Sequence, residues 1–234
     1  MPLGFGRKGT AAALDVDAIM ARFLAALPPD RGAIRAGAGM WKAADTKKLL
    51  GQDDRAFTAL MRVAQTSHGG GLLRFFLPST RPSLVDWNDR HGWHENWPSK
   101  PKAIAFAADW MGNLILLDPG RAPSGLHKVA FLDLATGAYD VGGDLAEFVD
   151  SLLDDWEGVL FKRRFDEYQA AGGQRPSITE CVGYVTPPVV GADPVDLANM
   201  KVVNLEVAVS RAGQLHDRSG AMPLGQRISR PGSF

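Results

Sequence analysis

Two imidazoles and a carboxylate crowd into His91-Gly92-Trp93-His94-Glu95, and imidazole nitrogens bind zinc when a third ligand completes the set. The spacing matches neither HExxH nor the inverse HxxEH, and no helical pattern supports it. Solvated rings in a loop are the plainer reading. A thiol is the second candidate: Cys181 paired with His127 or His216 would make a nucleophile. It stands beside Val182 and Tyr184 in a strand-like run, where a buried, inert thiol is expected. The run His68-Gly69-Gly70-Gly71 invites a phosphate-cradling reading, but no Gly-Lys-Ser/Thr follows, and the order helix, glycines, strand is reversed for one. These glycines read as a helix stop. No Gly-x-Ser-x-Gly or dinucleotide-binding glycine pattern occurs, so the residues point to no cofactor, no metal and no catalytic set. A metal-binding protein using His91 and His94, or an enzyme using His91, His94 or His68 with nearby carboxylates, stays as the alternative.

Binding chemistry has better candidates. Between Asp133 and Glu157 the chain places eight acidic residues and no Lys or Arg. On a helix opened by Asp144, the residues Asp144, Glu147, Asp150, Asp154 and Asp155 project mostly away from the apolar stripe, as an acidic face would to meet a basic cleft and speed encounter. Charged outer faces are also ordinary solvated surface, and acids near a helix N-terminus suit its dipole. Trp87, Trp93 and Trp97, with Trp110 nearby, offer an aromatic platform for a partner. They equally suit a Pro-bounded loop pinned to the sheet by buried indoles.

The elements that position these groups follow from periodicity. Val16, Ile19, Met20, Phe23, Leu24 and Leu27 define an amphipathic helix that Pro28-Pro29 terminates. A second helix spans roughly 53–65, with Phe57, Leu60, Met61 and Ala64 on one face. A short strand at 72–77 leads into an irregular loop that holds the tryptophans. The centre reads as an antiparallel meander: strands at 103–108 and 113–117 joined by Asp109-Trp110-Met111-Gly112-Asn113, a Leu-Asp-Pro stop, and a third strand at 127–134. Gly142-Gly143 ends it. Asp144 with Glu147 three positions on forms a capping box for a helix whose face is Leu145, Phe148, Val149, Leu152, Leu153 and Trp156. A further helix at 159–171 stops at Gly172-Gly173, and extended pieces at 179–185 and 202–210 follow. The fold class is α+β, a central antiparallel sheet with helices packed on one side.

Composition bounds the rest. A chain of 234 residues with 45% hydrophobic content buries roughly 70% of its unfolded surface without staples. The 26 basic and 26 acidic residues cancel, which argues against nucleic acid or an anionic membrane as the main partner. One cysteine permits no internal disulfide and suits a reducing cytoplasm. No run of about 18 apolar residues suggests a membrane span, and no secretory h-region follows the basic start. Residues 1–12 read as a flexible start, 13–225 as one α+β domain with a C-terminal extension at about 175–225, and 226–234 as a loose tail. Oligomeric state is not legible.

The order Ile104 to Asp109, Gly112, Leu117-Asp118, Val129 to Asp133, then Asp144-Leu145-Ala146-Glu147-Phe148-Val149 resembles the SUKH superfamily, the bacterial immunity and eukaryotic cell-wall scaffold proteins related to Smi and Knr. Cys181-Val182-Gly183-Tyr184-Val185-Thr186-Pro187-Pro188, with Gly191, Asp193, Asn204-Leu205-Glu206 and Gly213-Gln214-Leu215, is similar to an extension in some members. The resemblance covers Ala103 to Gln214. It implies a SUKH-like fold and a non-catalytic immunity protein that neutralises a cognate toxin domain by direct binding, with an assembly scaffold as a variant. Asp144, Glu147, Asp150, Asp154, Asp155, Trp87, Trp93 and Trp97 are then the expected partner contacts.

Overall fold

Helix α1, Val16–Ala26, starts where the Asp15 carboxylate accepts the Ala18 N–H at 3.1 Å, and it stops ahead of the two prolines. Its Val16, Ile19, Met20 and Phe23 are buried, as the spacing predicts. The computed structural model describes residues 15–34, 41–89, 91–122 and 124–220; the expected flexible start at 1–12 and loose tail at 226–234 lie outside them. Helix α2, Ala43–Leu50, was not foreseen. Its single buried residue is Thr46, hydrogen-bonded to the Trp41 indole and to Thr58, so it shows no apolar stripe to detect.

Helix α3, Arg55–Val63, is capped by Asp54 and ends several residues before the glycines expected to stop it. Ala64 to His68 instead runs alongside the short strand β1, Leu73–Phe75, with Phe75 N–H donating to Thr66 O and His68 and Leu73 exchanging backbone bonds. Gly69, Gly70 and Gly71, all at positive φ, make the tight turn that this return needs. Helix α4, Leu84–Asn88, occupies part of the expected loop, opened by a capping box of Ser83 and Asp86.

Strands β2 (Ile104–Asp109), β3 (Leu114–Arg121), β4 (His127–Leu132) and β5 (Tyr139–Asp144) complete a five-stranded antiparallel sheet in the order β1-β2-β3-β4-β5. Between β2 and β3 the Asp109 carboxylate accepts from Met111 N, Asn113 N and Asn113 Nδ2, fixing the predicted turn. Two expectations fail here. Leu-Asp-Pro does not end β3; the strand continues through an irregular register between Asp118 and Arg121, where Asp118 accepts the Gly120 N–H. Nor do Gly142-Gly143 end the meander: they lie within β5, and a side chain on Gly143 would strike the Glu147 carboxylate.

The rest is helix α5 (Leu145–Asp154), a one-turn α6 (Trp156–Val159), α7 (Lys162–Ala170), a ribbon of β6 (Glu180–Tyr184) and β7 (Met200–Asn204), and α8 (Leu205–Gly220). Residues 205–210, expected to be extended, are helical. The Val-rich run Val202-Val203-Asn204-Leu205-Glu206-Val207 reads as strand by propensity, but Asn204 Oδ1 accepts the Val207 N–H and buried Leu205 and Val209 share one helix face.

Ring contacts of Phe23 with Phe75 and of Phe57 with Phe106 seat α1 and α3 on one face of the sheet, and α5 packs against α1. Successive residues along β3 from Leu114 to Leu117 are buried, so the other face is covered too. On that face Arg74, fully buried, donates to the Ser177 and Asp109 carbonyls, and Val182 N–H donates to Trp110 O, fastening the C-terminal segment to the sheet. No helix among the described residues is long and apolar enough to cross a membrane.

Candidate interaction surface

Helix α5 supplies most of the expected acidic face, and its two ends differ. At the N-terminus Asp144 is 2% exposed. Its carboxylate accepts from Ala146 N and Glu147 N at 2.9 Å and from Ser124 Oγ at 2.5 Å, while Glu147 accepts the Asp144 N–H at 3.0 Å. Asp144 is therefore a cap and not a contact residue, which corrects the sequence expectation; the first turn needs its donors satisfied before it can offer a surface. Glu147 is exposed although it closes the box. Asp150, half-buried, accepts from Arg22 at 2.7 Å and ties α5 to α1.

Toward the C-terminus the carboxylates face solvent. Asp154, Asp155 and Glu157 are exposed at the corner between α5 and α6. Asp155 does double service, because Oδ1 accepts the Gly158 N–H at 3.0 Å and starts α6. That cap breaks the long helix expected here and moves Trp156 onto a separate turn.

The aromatic platform is absent as a surface. Trp87, Trp93 and Trp97 are each at most 4% exposed. Trp87 stacks on Phe76 with ring centres 4.5 Å apart, Trp93 lies edge-on to His94, and Trp97 donates to Val209 O while stacking on His216. They join the central loop to the core and to α8, because an indole buries a large area and needs only one acceptor. Trp110 likewise donates to Leu160 O.

The candidate catalytic groups do not converge. His91 is exposed, with Nδ1 3.6 Å from Glu95, whereas His94 Nε2 meets the Lys100 carbonyl at 2.7 Å. His68 is buried, with Nδ1 donating to Leu27 O and Nε2 accepting from Gln65 N; burial holds its pKa below the usual imidazole value, opposed by the Leu27 bond and by Asp30. Burial pushes the Cys181 thiol up to about 12, which leaves it protonated at neutral pH. Among the described residues no three His, Cys, Asp or Glu side chains are grouped to hold a metal ion.

One pair escaped the sequence reading. Asp54 and His127, 73 positions apart, are both buried; Asp54 Oδ2 accepts from His127 N at 2.9 Å and from Nδ1 at 3.0 Å, while Oδ1 accepts the Phe57 N–H. Burial raises the Asp54 pKa, but the bonds from His127 and Phe57 outweigh it and hold the carboxyl below its ordinary value. With Nδ1 carrying the proton, His127 Nε2 accepts from the Gln52 amide at 3.3 Å. The sequence signal was half visible: Asp54 three residues before Phe57 is an N-cap pattern, but nothing local pairs it with His127.

No family model matches the chain, and no curated protein matches it. The fold is similar to the crystal structure of Atu4351 from Agrobacterium tumefaciens, with a TM-score of 0.54 over 82% of this chain and 87% of that one, at 13% identity. Likeness at that identity shows the shared α+β fold alone.

Proposed function

We propose that this chain is a non-catalytic immunity protein that acts in the cytoplasm by binding a cognate toxin domain, as the resemblance to the SUKH superfamily implies. The observation that carries the reading is the acidic corner where Asp154, Asp155 and Glu157 are exposed together, within a stretch from Asp133 to Glu157 that holds eight acidic residues and no Lys or Arg. Enzymes that cleave or modify nucleic acid present basic clefts, and an acidic patch is attracted to them over a Debye length before contact. Two of the candidate imidazoles are held by backbone groups, His68 by Leu27 O and Gln65 N, and His94 by the Lys100 carbonyl.

Co-expression with the product of the adjacent gene tests the reading. A stoichiometric complex whose formation slows as salt rises, and which abolishes the partner's toxicity, is the expected result. Recovery of this chain alone, with the neighbour equally toxic in its presence and absence, would sink it.

A further inference from the structure

We infer that the outer edge of β5 is the docking site, and that the occupant is an extended segment of the partner protein carrying Lys or Arg; this rests on the immunity reading above. A sheet has two edges, and proteins normally cover or blunt them, because unpaired N–H and C=O groups recruit other strands. The edge at β1 is covered, with Phe75 bonded to Thr66 and Leu73 to His68. Among the described residues the edge strand β5 pairs with β4 and with no other strand.

The register shows which groups are offered. Asp133 N–H donates to Ala138 O at 3.0 Å, and the pairing continues Leu132 with Tyr139, Phe131 with Asp140 and Ala130 with Val141. Antiparallel alternation turns the Asp140 backbone toward Phe131 and leaves the N–H and C=O of Tyr139 and Val141 on the outer side. No backbone partner reaches them there among the described residues. Val141 is 47% exposed, and β5 carries neither Lys nor Pro. The irregular register between Lys128 and Ala130 lies opposite Gly142-Gly143, which confines the regular edge to Tyr139 through Val141.

Charge selects the occupant. Asp140 on β5 and exposed Glu147 on the following helical turn border this edge, so a strand with basic side chains meets opposite charge. A second copy of this chain would instead bring Asp140 and Glu147 of each molecule together, like charge against like.

The full chain co-expressed with the product of the adjacent gene is the material for the test. In the complex, amide exchange at Tyr139 and Val141 should slow. Val141→Pro removes one outward N–H at a place where an edge strand tolerates proline; it should weaken the complex by about tenfold or more, since main-chain pairing supplies the affinity of strand addition. Val207→Lys, at an exposed site on α8, should leave affinity unchanged. If Val141→Pro does not fold, wild-type exchange alone decides. A complex that forms with Tyr139 and Val141 exchanging as in the free protein overturns the edge and leaves the immunity reading standing. Protection of the same amides in a homodimer of the free chain gives the edge to a second copy and overturns it as well. Absence of any complex removes both.

Discussion

Two regions of this molecule collect aspartates, and they use them in opposite ways. Where β4 begins and β5 ends, Asp54 and Asp144 are buried and saturated: one holds His127 and caps α3, the other caps α5 and holds Ser124. At the α5–α6 corner, Asp154, Asp155 and Glu157 stand in solvent. The side-chain chemistry is the same in both, so position alone decides the role. A carboxylate removed from water must be matched by donors and then serves structure, whereas an exposed one stays solvated and costs the fold little.

The contrast breaks first at Asp54. Asp54→Ala leaves His127 and the Phe57 N–H without an acceptor in a buried site, and a loss of about 3 kcal/mol in unfolding free energy is expected. Denaturant melts should show it with an unchanged m-value. The acid limb of stability sharpens the point. Because the folded state holds Asp54 below its ordinary value, its contribution is present above the unfolded value, near pH 4, and is lost as pH falls through the lower folded value. The gap in Tm between wild type and Asp54→Asn should therefore close on acidification below about pH 4. A gap that widens there would mean that Asp54 is not ionised in the fold.

Asp144→Ala should cost less, about 1–2 kcal/mol, the range for a lost N-cap. Glu147→Ala removes only the reciprocal bond of the box and should cost about half of that. If the two substitutions destabilise equally, the buried and exposed members of the box are not distinct.

The same contrast explains what could be read from the chain in advance. Helix α1, the β2–β3 turn and the cap of α5 are set by residues three or four apart, such as Asp144 with Glu147, and local spacing is visible in one sequence. Helix α2 packs through polar Thr46, β5 runs through two glycines, and α8 begins in a Val-rich stretch. In these three, tertiary contacts overrule local preference. The candidate site divided in the same way. Exposure of Asp154 at a helix end followed from periodicity, but burial of Trp87, Trp93 and Trp97 depended on Phe76, His94, His216 and α8, and the Asp54–His127 pair spans 73 positions.

The smallest effect on stability should accompany the largest effect on association. Asp154→Lys with Glu157→Lys reverses the exposed corner while sparing Asp150, which is bonded to Arg22, and Asp155, which caps α6. Surface changes of this kind shift stability by about 0.5 kcal/mol or less. The association rate with the partner should fall about tenfold at low ionic strength, and the difference should shrink as salt screens the corner. Stopped-flow mixing at two salt concentrations separates the outcomes. An unchanged rate constant with an unchanged salt slope would make the corner ordinary solvated surface and leave recognition to short-range contacts elsewhere. A lower rate whose salt slope is also reduced would show that these two carboxylates belong to the field that steers the encounter.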